Sequence, residues 1–97
     1  MSVFIRMGEF QVVPGGFAPL AETYARECIP VVRATPGNVD CYLLAPVTDG
    51  DPVIACTVWQ DEADARAYEA SGTAREVVAK VRGFFAGPPT LRSYRKG

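Results

Sequence analysis

A chain of 97 residues has the length of one domain, and its net charge of −1 offers no basic field to hold a nucleic-acid backbone or an anionic membrane. No apolar run is long enough to span a bilayer and the start lacks the pattern of a secretory leader, so an intracellular, cytoplasmic protein is expected. Histidine is absent, which removes the commonest general base, zinc ligand and haem axial ligand, and the three cysteines are expected as reduced thiols.

From Val3 to Val13 the β-rich composition predicts a first strand, with Gly8 inside it marking a bulge or a close approach by another group. Pro14-Gly15-Gly16 breaks the chain. Phe17, Leu20, Tyr24, Cys28 and Val31 then fall at helical offsets and predict a helix from Phe17 to about Arg33, with a kink or irregular turn at Pro30. After the turn at Thr35-Pro36-Gly37, Asn38 to Pro46 reads as a second strand. Val53 to Trp59 is apolar or β-branched at nearly every position, as in a strand covered on both faces. Asp49-Gly50 between them signals a hairpin with a two-residue loop. That loop pairs Leu44 with Ala55, Leu43 with Cys56, Tyr42 with Thr57 and Cys41 with Val58. Both faces of the hairpin are then apolar, and Cys41 and Cys56 share a face at a diagonal too long for a disulfide.

Beyond the third strand, Asp61 is the natural N-cap of a helix whose first turn is acidic and which stops at Ser71-Gly72. Thr73 to Glu76 reads as a capping box, opening a second helix with an apolar stripe at Val77, Val78, Val81, Phe84 and Phe85, ended by Gly87-Pro88-Pro89. Thr90 to Arg95 alternates apolar with polar, as an outer strand does. The sum is βαββααβ: an α+β, ferredoxin-like domain over residues 1–97 with a four-stranded antiparallel sheet. Helices of the same chain can cover one face of the hairpin. The other face requires a second copy, most simply by sheet-to-sheet packing in a homodimer.

At Thr57-Val58-Trp59, the acidic helix start after it, and Ala86-Gly87-Pro88-Pro89-Thr90-Leu91-Arg92-Ser93-Tyr94, the sequence resembles the antibiotic biosynthesis monooxygenase domain family. The resemblance implies a homodimeric α+β barrel and one of three roles: cofactor-independent oxygenation of anthrones and quinols, haem degradation, or no settled activity. Haem-degrading relatives carry a histidine, a tryptophan and an asparagine at positions aligned with Val78, Tyr68 and near Gly8, so haem breakdown is not expected. Anthrone-oxidising relatives place an asparagine at the position of Ala55 and a tyrosine at that of Ala65. Of that set this chain keeps Trp59.

Four side chains are candidates for binding a small aromatic substrate. Trp59 offers an indole N–H and a stacking face, or it fills the gap between strand and helix; Tyr68 and Tyr42 pair an apolar ring with a polar tip, or simply pack. Arg82 interrupts the apolar edge of the last helix and can hold a phenolate, or it snorkels to solvent. Asp61, Glu62 and Asp64 read as helix caps and dipole partners, no metal site is expected, and no catalytic residue stands out. The function expected is a monooxygenase acting without metal, flavin or haem on a small phenolic, quinol or polyketide-type aromatic. The alternative is a non-catalytic ligand-binding or dimeric accessory protein on the same scaffold.

Overall fold

The computed structural model of the protein describes residues 3–97; Met1 and Ser2, the first two residues of the expected domain, lie outside the described residues. In chain order the elements are β1 (Phe4–Phe10), α1 (Phe17–Thr23), a π turn (Tyr24–Cys28), α2 (Ile29–Arg33), β2 (Asn38–Leu44), β3 (Val53–Trp59), α3 (Glu62–Ala70), α4 (Thr73–Val81), a 3-10 turn (Arg82–Phe84) and β4 (Thr90–Arg95). The strands form one antiparallel sheet in the order β2-β3-β1-β4. This is the expected ferredoxin-like α+β arrangement, with β4 on an outer edge.

The helix expected from Phe17 to Arg33 is present as one rod, but its irregularity lies a turn ahead of the proline that causes it. Pro30 has no N–H and its ring would press on the carbonyl four residues back, so the rod widens beforehand and Ile29 N–H reaches the Tyr24 carbonyl, five residues away. The wider turn also rotates the buried stripe. It runs Leu20, Tyr24, Cys28, Val32, not to the expected Val31, which is 37% exposed.

The β2–β3 register differs from the expected one by a single residue. The turn itself forms, with Asp51 N–H donating to Thr48 O at 3.2 Å around Asp49-Gly50. Three residues (Ala45, Pro46, Val47) lead into it from Leu44 and two (Pro52, Val53) lead out to Ile54, and the prolines cannot continue the ladder. Leu44 therefore pairs with Ile54, Leu43 with Ala55, Tyr42 with Cys56 and Cys41 with Thr57. Cys41 and Cys56 consequently lie on opposite faces of the sheet. Near the far end Val39 bulges, and the Asn38 side-chain amide donates to the Asp40 and Val58 carbonyls, at 3.1 Å each, covering the acceptors the bulge exposes.

Three local expectations are corrected. Gly8 makes no bulge, since it pairs regularly with Ala55 on one side and Leu91 on the other. β1 stops at Phe10, after which Val12 bridges Phe85. Thr73 does not cap α4: the N-cap is Gly72 at φ 89°, whose carbonyl accepts from Glu76 N–H at 3.1 Å, and the α-helix gives way to a 3-10 turn after Val81. Left-handed Gly72 ends one helix and begins the next, leaving no room for a separate box. Asp61, by contrast, caps α3 as expected, accepting from Asp64 N–H at 3.2 Å.

Among the described glycines, Gly37 has the least room for a side chain. Its φ is 81° and a Cβ there would lie 2.1 Å from Asp64 Cγ, while its carbonyl accepts from Gln60 N–H at 2.9 Å. Gly37→Ala is expected to cost about 2 kcal/mol, through left-handed strain and displacement of α3. Chemical denaturation measures it; an unchanged midpoint would contradict the packing described.

Strand alternation divides the sheet into two faces. Phe4, Phe10, Val53 and Trp59 point to the helices and join Leu20, Tyr24, Val32, Tyr68, Val77 and Val81 in one core. Ile5, Met7, Tyr42, Leu44, Ile54, Cys56 and Val58 alternate onto the other face, which no helix covers among the described residues.

Candidate functional site

Between the sheet and the helices lies a cavity of about 310 Å³. Its floor is hollow for a simple reason: Gly8 and Ala55 stand directly opposite each other on β1 and β3, so one methyl group occupies a place where two side chains would normally meet. A Cβ on Gly8 would come within 3.4 Å of Leu91 Cδ2, an ordinary contact, and Gly8 is not in the left-handed region. Space, not backbone conformation, is what this glycine provides. Phe10, Leu20, Val32, Val77, Val81 and Phe85 make the walls apolar.

Few polar groups reach this cavity. On the floor, one step along the strands from Gly8 and Ala55, Arg6 pairs across the sheet with Thr57. Thr57 Oγ1 accepts the indole N–H of Trp59 at 2.8 Å, which leaves its own hydrogen free to donate elsewhere. The Arg6 guanidinium is anchored at two corners, to Glu69 Oε1 at 2.7 Å and Ser93 Oγ at 2.8 Å. Its Nε is buried without an acceptor among the described residues. Tyr68 lines the roof, and its hydroxyl has no hydrogen-bond partner among them. Arg75 and Arg82 stand at the rim, both exposed.

The buried acids of this region are held in their neutral forms. Burial, followed by the proximity of the Cys41 and Cys28 thiols, raises the Tyr68 hydroxyl. Burial and the Cys41 partner, 3.2 Å away, raise Tyr24. Burial pushes Cys28 up to about 11, against a modest pull from Lys80. Burial thus keeps the Tyr68 hydroxyl protonated at neutral pH. Because these pKa values are raised on folding, the folded protein resists ionisation that the unfolded chain accepts. The stability that the neutral Cys28 thiol contributes is accordingly full below its ordinary value of 9.0 and lost as pH rises from there through about 11. Melting temperature is expected to be level to pH 9 and to fall steadily above it; a level profile to pH 11 would contradict this.

The four residues singled out in the sequence are placed differently from one another. Tyr68 and Arg82 line the cavity. Trp59 lies beneath it, fully buried, with its ring 5.0 Å from that of Tyr68 and its N–H committed to Thr57. Tyr42 is on the opposite face of the sheet, paired with Cys56. The sequence reading missed Arg6 and Thr57. Their signal was the period of two in Phe4-Arg6-Gly8-Phe10, which sets a charged residue and a glycine among core positions of one strand face.

Among the described residues no helix is long and apolar enough to cross a membrane, and no group of three potential metal ligands stands together. No curated protein sequence matches the chain. Among solved structures, one from Bordetella bronchiseptica, named for the antibiotic biosynthesis monooxygenases, is 17% identical, with a TM-score of 0.86 over 100% of this chain and 99% of that one. A monooxygenase from the gene ActVA-Orf6 of Streptomyces coelicolor, in complex with nanaomycin D, is 24% identical, with a TM-score of 0.75 over 99% and 88%. The heme-degrading protein Rv3592 of Mycobacterium tuberculosis is 17% identical, with a TM-score of 0.72 over 97% and 90%. At these identities the likeness is one of fold. The family model for antibiotic biosynthesis monooxygenase matches residues 3–80, most of the chain, and on that match this protein belongs to the antibiotic biosynthesis monooxygenase family.

Proposed function

We propose that the protein is a homodimeric monooxygenase that oxidises a small phenolic, quinol or polyketide-type aromatic without metal, flavin or haem. The observation that carries the proposal is the cavity: apolar walls, a floor opened by Gly8 and Ala55, and the unpartnered Tyr68 hydroxyl at its roof. The nanaomycin D complex of the Streptomyces coelicolor monooxygenase supports placing an organic ligand in a fold of this kind.

Such a reaction needs little from the protein because the substrate is the reductant. An anthrone-type substrate loses a proton to give an anion, which passes one electron to dioxygen. The radical and superoxide combine and take up a proton to form a carbon-bound hydroperoxide. Loss of water leaves a carbonyl, so one oxygen atom enters the product and the other leaves as water. The protein's part is to exclude solvent and to stabilise the anion with fixed donors. Tyr68, kept protonated by its burial, is one such donor. Arg82 at the rim adds positive charge toward an incoming phenolate. Trp59 acts from below, supporting the Tyr68 ring and the Thr57 hydroxyl. Tyr42, on the helix-free face, would bear on the partner subunit of the dimer, not on this cavity.

A second reading is favoured by a specific observation. The positions at which anthrone-oxidising relatives carry polar groups are Ala55 and Ala65 here, and Trp59 N–H is already satisfied within the chain. A ligand-binding accessory protein would need no more than this. Oxygen uptake with a panel of anthrones and hydroquinones separates the two. Turnover that falls about tenfold in Trp59→Phe, from loosened donors, is expected for the enzyme. Tight binding without oxygen uptake would support the accessory role.

A further inference from the structure

Six of the eight arginines hold a partner within the chain: Arg6, Arg26, Arg66, Arg92 and Arg95 each meet a glutamate, and Arg33 donates to the Asn38 side chain. Arg75 and Arg82 hold none among the described residues, and these are the two that stand exposed at the rim of the cavity. Nothing on their own helix is placed to neutralise them. One turn away from them along α4 stand Ser71, Gly72, Val78 and Ala79, none of them acidic. Glu69, the one carboxylate lining the cavity among the described residues, is engaged by Arg6 at 2.7 Å. The mouth therefore carries two uncompensated positive charges in a chain whose net charge is −1, and a cleft with apolar walls concentrates the field of such charges.

The spacing of the pair fits one small anion. They stand seven positions apart, close to two helical turns, so both lie on the same side of α4. Their backbones are roughly 10 Å apart along the helix. Val78 lies between them on that side and lines the cavity. Two long side chains rooted on either side of it can close on a single carboxylate, each guanidinium taking one oxygen. The unpartnered hydroxyl of Tyr68, buried in the same cavity, independently marks it as a place that takes a ligand.

We propose that Arg75 and Arg82 capture the carboxylate of an apolar carboxylic acid, whose neutral ring enters the cavity while the acid group stays at the mouth. The ligand class is an aryl-substituted alkanoic acid: a flat apolar body, one short flexible arm and one negative charge at its end. This deepens the proposed function by naming a second, unreactive group on the same ligand, and it rests on that reading for the placement of the ring in this cavity. The arm decides which end enters. Burying the carboxylate would cost it its hydration, whereas the ring gains by leaving water.

Calorimetry with naphthaleneacetic acid, ionised at neutral pH, and with naphthaleneacetamide, of the same shape and no charge, tests binding apart from turnover. Wild-type protein is expected to prefer the acid by about tenfold at low salt, as charge-assisted hydrogen bonds give. The preference should shrink several-fold at about 1 M salt, as for charges exposed at a surface. Arg75→Gln and Arg82→Gln should each reduce it several-fold and the double variant abolish it, with melting temperatures unchanged because both side chains are exposed and unpaired. Arg92→Gln, at an arginine that pairs with Glu9 away from the cavity, should leave it intact. Equal affinities in the wild type, a preference that survives the double variant, one lost equally in Arg92→Gln, or failure of both compounds to bind would overturn the proposal. Acid preference without oxygen uptake on anthrones or hydroquinones would remove the oxygenase reading and leave this site standing; oxygen uptake with equal affinities would do the reverse.

Discussion

Ile5→Asp is expected to turn the protein into a monomer, weakening self-association by about 4 kcal/mol, or a thousandfold in dissociation constant. The proposed dimer follows from the sheet. Every helix packs on the face that carries Phe4, Val53 and Trp59, and the other face presents Ile5 and Met7 at its centre, flanked by Cys56, Val58, Tyr42 and Tyr94. Leu44 and Tyr94 are 43% and 46% exposed on a single chain. Two such faces packed together bury this surface at the usual sheet-to-sheet spacing of about 10 Å. Ile5 pairs with Val58 and Tyr94, so an aspartate there has no cation opposite it, and it is too short to reach the rim. Sedimentation at micromolar concentration measures the change. A variant that still sediments with the wild type, or a wild type that is itself a stable monomer, would contradict the dimer.

Ala55→Leu is expected to lower ligand affinity at least about a hundredfold while leaving stability within about 1 kcal/mol of wild type. An isobutyl group at position 55 would extend over Gly8, which has no side chain to oppose it, and would occupy the floor on which an aromatic ring is proposed to lie. Enlarging a core residue usually costs stability because there is no space for it. Here the space exists, and filling it adds apolar contact to Phe10, Phe85 and Leu91 at the cavity wall. The combination of lost binding and kept stability is the diagnostic result. A variant that unfolds would show the floor to be packed, and one that binds normally would place the ligand elsewhere.

Much of this architecture is legible in the sequence where one local rule acts alone. The β3 boundaries, the Asp61 cap and the left-handed Gly72 were read correctly, since each depends on residues within a turn or a strand of one another. The apolar character of both hairpin faces also survives, even though the register moved by one, because Val53 to Trp59 is apolar on either side. What failed depended on competition between neighbours. Asp49-Gly50 forms its turn, but Pro46 and Pro52 keep the flanks from pairing, so the loop length that sets the register was longer than the turn alone suggested. The helix stripe moved from Val31 to Val32 because Pro30 imposes a π turn before itself, which no count at a period of 3.6 anticipates.

The site was legible in part and for an instructive reason. Tyr68 lines the cavity, whereas Tyr42 lies on the other face by strand parity. Cavities are made by what is absent, and Gly8 opposite Ala55 becomes visible as a gap after the β1–β3 register is known. Arg6 carries meaning on the same condition. In isolation it is one charged residue in a strand, but once paired with Thr57 on the core face it is a guanidinium held by Glu69 and Ser93 beside the cavity.

The proposed chemistry is tested most directly by supplying an anthrone to the purified, chelator-treated protein under isotopically labelled dioxygen and weighing the product. The account predicts a quinone carrying one labelled oxygen atom, with the second label recovered in water, formed faster than in protein-free buffer. An unlabelled product, or conversion no faster than in buffer, would contradict it.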